Sequence, residues 1–179
     1  MRLTGRKSFI TGAAKGIGLS VARAFAAEGA AVALADISEE ESKKQSLEIK
    51  ESYGVDAIGV KCDVGDTISV QNAIKETSEA FNGLDTIACM AATLTERLDV
   101  VDLPEDEWNR TLNVNLTGSF LVCKHGIPFL REAGGGSIIL TASQMGQVAW
   151  PGSTAYCTTK GGILQLSLIH ISEPTRLES

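Results

Sequence analysis

The sequence predicts an α/β fold, a doubly wound parallel sheet with crossover helices and about five strands present. Two observations carry that prediction. Short apolar, β-branched runs alternate with longer amphipathic stretches, the pattern of strands joined by helices. Glycine is abundant, 18 in 179 residues, and several glycines stand where a strand hands over to a helix. A hydrophobic share of 44% leaves room for one substantial core.

Taken in order, residues 8–11 read as the first strand and 17–28 as a helix closed by Gly29. Residues 31–35 form the second strand with Asp36 at its end, and Ser38 is placed to cap a polar helix reaching about Tyr53. Residues 57–61 are the third strand, followed by Asp63 and a helix over 66–81 that Gly83 ends. Residues 84–89 make the fourth strand. After a loop, Pro104 opens one long helix over 105–131, bent at Pro128. The fifth strand is 137–141, and a last helix starts near Ser153.

A formal net charge of −6 argues against a nucleic-acid binder, which needs a basic face. No apolar run is long enough to span a bilayer, and the stretch after Met1 is not a signal peptide. Cys62, Cys89, Cys123 and Cys157 are too far apart for metal-ligand spacing and read as buried free thiols of a reducing compartment. The expected location is the cytoplasm, with a small molecule as partner rather than nucleic acid or membrane.

Thr11 leads into Gly12-Ala13-Ala14-Lys15-Gly16-Ile17-Gly18 and then a helix. Glycines at such a turn let backbone approach a pyrophosphate, which the N–H groups and dipole of the helix start favour. The spacing, Gly-x3-Gly-x-Gly, differs from the usual dinucleotide fingerprint and lacks the ending of a nucleoside-triphosphate loop. A purely structural turn is the alternative. Asp36 follows Gly18 by eighteen residues, where a carboxylate accepts hydrogen bonds from ribose hydroxyls and repels a 2′-phosphate. A solvated strand-end acid is the competing reading. Lys15 is a counter-signal toward NADP, but Asp36 meets the 2′-oxygen directly, so NAD is the expected cofactor. Asp63 and Val64 are placed for an adenine ring, and Asp63 equally for capping the next helix.

Tyr156 and Lys160 are four apart and share a helix face. A tyrosine alone is a poor base at neutral pH, and a neighbouring ammonium stabilises its phenolate. Ser143 lies thirteen residues before Tyr156, just past the fifth strand, at the sheet edge where open α/β folds bind ligands.

These motifs, with Asn113-Val114-Asn115, resemble the classical short-chain dehydrogenases/reductases over about 2–165. The resemblance implies a Rossmann-type fold and an NAD-dependent interconversion of a secondary alcohol and a ketone by hydride transfer. It makes Tyr156 the general acid/base, and Ser143 the group that orients the substrate oxygen. Lys160 binds the nicotinamide ribose and supports Tyr156, and Asn115, inside the long helix, holds a water of a proton relay. The cofactor set it implies is Gly12, Lys15, Gly16, Ile17, Gly18, Asp36, Asp63, Val64 and Ala91, with Tyr156 and Lys160. Homodimers or homotetramers are the family's usual assemblies. The alternatives are an NADP-dependent 3-oxoacyl carrier-protein reductase and a non-catalytic dinucleotide-binding protein. One motif departs: Cys89-Met90-Ala91-Ala92 stands where the family carries Asn-Asn-Ala-Gly, which bears on cofactor affinity and loop shape.

Past Gln165 the resemblance stops, and Leu166–Arg176 resembles the translation of a transposase-type sequencing adapter. The expected organisation is an incomplete dehydrogenase domain over 1–165 and an artefactual tail over 166–179. The C-terminal strands of the fold are then missing, and the fifth strand has an open apolar edge. Pro174 breaks the last helix, His170 is no catalytic base, and activity is expected of a parent enzyme rather than of this chain.

Overall fold

Five strands form one parallel sheet in the order β3-β2-β1-β4-β5: β1 (Lys7–Thr11), β2 (Ala31–Asp36), β3 (Ala57–Lys61), β4 (Thr86–Cys89) and β5 (Ser137–Leu140). The computed structural model describes residues 1–172, with side chains described through residue 168. The strand order reverses between β1 and β4, whose last residues, Thr11 and Cys89, lie in register. That reversal is where an open α/β sheet offers a crevice.

The inner strands read as continuous apolar runs because both faces are covered. Phe9 and Ile10, neighbours on β1, point to opposite faces, and both are fully buried. Phe9 joins Ile74, Leu84, Ile87 and Val122 in a core beneath α3 (Thr67–Phe81) and α5 (Gly118–Glu132). Ile10 joins Ala22, Ala26, Leu34 and Ile49 beneath α1 (Gly16–Ala27) and α2 (Glu39–Tyr53).

Several local expectations are corrected. Ser38 stands at the start of α2, but its hydroxyl caps nothing; its N–H instead donates to Asp36 Oδ1 at 3.1 Å. The cap of α3 is Asp66, whose carboxylate accepts from Ser69 N at 2.6 Å. The single long helix over 105–131 is divided into α4 (Glu105–Leu112) and α5 by a π turn, Asn113–Thr117. Pro128 lies inside α5. Strand β5 ends at Leu140, one residue early, leaving Thr141 outside the ladder.

The last helix, α6 (Thr154–Ser172), runs through the boundary expected at residue 165. Pro174 lies outside the described residues, as does the side chain of His170. The edge position of β5 is as expected, with Ile139 44% exposed. Cys62 and Cys89 are buried, whereas Cys123 and Cys157, both on helices, are only partly so. Among the described residues, no helix is long and apolar enough to cross a membrane.

Candidate active site

Because all strands are parallel, their carboxyl ends lie along one edge of the sheet. The glycine loop follows β1, Asp36 ends β2, Asp63 follows β3, Ala91 follows β4, and Ser143 follows β5. The topology therefore gathers on one rim residues that the sequence spreads over more than a hundred positions.

The glycine loop is shaped by close approach. Gly12 has φ +64°, and a Cβ there would come within 2.7 Å of the Ala91 Cα. A Cβ on Gly18 would run into the Gly12 carbonyl oxygen. Only glycine lets the loop lie flat against the segment after β4. No side chain caps α1, so Gly16, Ile17 and Gly18 present first-turn N–H groups suited to an anion. Lys15 and Ile17 are exposed at the mouth.

Asp36 is held beside this loop. Its Oδ2 accepts from Ala14 N and its Oδ1 from Ser38 N, both at 3.1 Å. Two amides fix the carboxylate while leaving lone pairs for further hydroxyl donors. Asp63 does not cap α3; its Oδ1 accepts from Gly65 N at 2.9 Å in a tight turn. Val64 is 6% exposed and packs against Gly118, so its side chain belongs to the core rather than to an open ring platform.

The segment that departs from the family motif has its own braces. Thr11 Oγ1 accepts from Met90 N at 3.1 Å and from Ala91 N at 3.2 Å. Cys89 and Cys123 act on one another, which lowers the pKa of Cys123 and raises that of the buried Cys89. Burial pushes nearby Cys62 up to about 12.

On α6, the Lys160 ammonium stands 5.6 Å from the Tyr156 ring centroid. Lys160 is 3% exposed, and burial lowers its pKa from the ordinary 10.5. Its Nζ donates to the Thr141 carbonyl at 2.6 Å, and no carboxylate pairs with it among the described residues. Ser143 Oγ accepts from Met145 N at 3.2 Å and so opens the short 3₁₀ turn Gln144–Gly146. That turn sits tightly on α6: a Cβ on Gly146 would lie 2.6 Å from the Lys160 carbonyl oxygen. Ser143 stands at the start of the turn that packs on Lys160.

Asn115, in the π turn, is fully buried. Its Oδ1 accepts from Thr93 N at 2.7 Å; its Nδ2 donates to Thr93 O at 3.0 Å and to Thr159 Oγ1 at 3.3 Å. The amide thus braces the chain beyond β4 against α6. Thr93 and Thr141 stand in no motif of the sequence, and Thr11 stands there only as the residue leading into the glycine loop. The available signal was a hydroxyl residue at or just past the carboxyl end of a strand.

A cleft of about 560 Å³ lined by Arg6, Lys7, Asn82 and Asp85 lies at the opposite, amino-terminal edge of the sheet, away from these groups.

The family profile described as short chain dehydrogenase matches residues 6–173. The chain belongs to the short-chain dehydrogenase family. Among its short-chain dehydrogenase relatives, D-threitol dehydrogenase of Mycolicibacterium smegmatis is 35% identical over 172 residues, 96% of this chain and 65% of that protein. A 2,5-dichloro-2,5-cyclohexadiene-1,4-diol dehydrogenase of Sphingobium indicum is 38% identical over 166 residues, 93% of this chain and 66% of that protein. The crystal structure of an NAD+-bound xylitol dehydrogenase matches with a TM-score of 0.89 at 32% identity, covering 93% of this chain and 64% of that one. The chain thus spans about two thirds of the length of these relatives, and its sheet is the Rossmann-type sheet of the family.

Proposed function

We propose that the chain carries the cofactor-binding and proton-transfer half of an NAD-dependent oxidoreductase that interconverts a secondary alcohol and a ketone. The observation that carries this reading is the buried Lys160 ammonium beside the Tyr156 ring, on the same sheet edge as the glycine loop and Asp36. The cradle fits a dinucleotide, since it exists only because Gly12 and Gly18 lack side chains.

In this reading the N–H groups of Gly16, Ile17 and Gly18 take the pyrophosphate, Gly12 and Ala91 wall the crevice, and Lys15 flanks it. The Asp36 carboxylate accepts from both ribose hydroxyls and repels a 2′-phosphate, which favours NAD over NADP and disfavours the NADP-dependent 3-oxoacyl reductase reading. Asp63 faces the adenine. When bound, the dinucleotide accepts or supplies the hydride. Tyr156 takes the hydroxyl proton of the alcohol and returns it in the reverse direction. Lys160 stabilises the phenolate form and binds the nicotinamide ribose. The Ser143 hydroxyl holds the substrate oxygen beside the phenol, and Asn115 fixes the floor on which these groups stand.

The relatives' names are those of polyol and cyclic diol dehydrogenases. A small polar alcohol bearing a second hydroxyl is the substrate class we assign, with a homodimer or homotetramer in the cytoplasm as the setting. Tyr156→Phe tests the reading. In the parent enzyme, NAD-linked oxidation of threitol, xylitol or cyclohexanediols should fall by about 10²–10⁴-fold, with NADH affinity within about twofold of wild type. Turnover that survives the substitution overturns it.

A further inference from the structure

The structure assigns Thr141 and Met90 as a positioning pair that holds Lys160 in place beside Tyr156; this rests on the proton-transfer reading given above.

Lys160 is an enclosed cation without a carboxylate partner among the described residues, so the group that meets its ammonium decides where it sits. That group is the Thr141 carbonyl, 2.6 Å from Nζ. Thr141 lies one residue beyond β5, whose pairing with β4 stops at Leu140. Among the described residues, the β4–β5 ladder does not reach this carbonyl. What ties the residue down is its own hydroxyl, which donates to Met90 Sδ at 2.9 Å. Met90 is anchored in turn by its N–H on Thr11 Oγ1 at 3.1 Å. A continuous path therefore runs from the end of β1, through the segment after β4, to the Lys160 ammonium.

The path gives a role to one position of the departure from the family motif. Met90 stands where an asparagine is usual. A thioether is a long, flexible, soft acceptor, and it reaches from the end of β4 to the residue leaving β5. Thr141 supplies the matching donor from its side chain and the acceptor for Lys160 from its backbone, so one residue serves both contacts.

Loosening this tether lets the carbonyl relax and the ammonium drift from the phenol. The consequence is specific: the phenolate loses support, so alcohol oxidation needs a higher pH, while substrate affinity is little affected. Thr141→Val, which keeps shape and carbonyl but loses the donor, and Met90→Leu, which keeps bulk but loses the acceptor, test this on the whole protein. For both, the pH of half-maximal oxidation should rise by about one unit and kcat at neutral pH fall about tenfold, with KM for the alcohol within about twofold. Thr141→Ser restores the hydroxyl and should restore the wild-type profile. If Thr141→Val lowers yield of folded protein, Met90→Leu decides the matter, since it preserves size and polarity class. A pH profile unchanged in Met90→Leu, or a loss of kcat with no shift in profile, overturns the assignment. Retained turnover in Tyr156→Phe would instead overturn the proton-transfer reading itself, so the two failures are told apart.

Discussion

A buried ammonium costs stability unless its charge is matched, and Lys160, 3% exposed, is met by a carbonyl and not by a carboxylate. Replacing it with a methionine of similar length removes that cost along with the chemistry. Lys160→Met should therefore raise stability by about 1 kcal/mol, seen as about 2–4 °C in Tm, while NAD-linked turnover is lost. The sign with pH follows from the burial that lowers the Lys160 pKa below 10.5. On raising the pH, the folded protein releases this proton before the unfolded chain does, so wild type gains stability across that interval. The advantage of the variant is full at neutral pH and shrinks as pH approaches 10.5; a variant less stable than wild type at pH 7 contradicts the account. Tyr156, Lys160, Ser143 and Asp36 were legible in the sequence because their chemistry travels with short spacings or strand ends. Thr141 and Thr11 were not, because what they do depends on contacts 19, 51 and 79 residues away along the chain.

Among the elements, the π turn Asn113–Thr117 is the most informative departure from expectation. Residues 105–131 carry helical periodicity throughout, and one wide turn shifts that phase too little to be read in advance. The mid-helix asparagine was the one visible oddity, since asparagine prefers caps and turns. Its reason is now apparent: the Asn115 amide satisfies both the N–H and the C=O of Thr93. Asn115→Leu would leave those two part-buried backbone groups without their amide partner, each costing at most about 1–3 kcal/mol. We expect a loss of roughly 2–4 kcal/mol in urea unfolding. A loss below about 0.5 kcal/mol would show that water or a shifted backbone replaces the amide. The Ser38 expectation failed at its hydroxyl, which accepts no helical N–H, while its own N–H donates to Asp36.

For the molecule as a whole, the alternation of strand and helix patterns made the parallel sheet legible, whereas the strand order came only with the structure. That order matters most. It sets β1 beside β4, opens the crevice between them, and puts the glycine loop, Asp36 and Ala91 around it. The central claim is that this crevice binds NAD, with Asp36 as the discriminator. Titrating the protein with NADH and then NADPH, followed by nicotinamide fluorescence, tests it most directly. The account predicts that NADH binds at least about tenfold more tightly, a difference of about 1.4 kcal/mol, and that Asp36→Ala closes most of that gap. Equal affinity for the two nucleotides in wild type, or binding of neither, would contradict it.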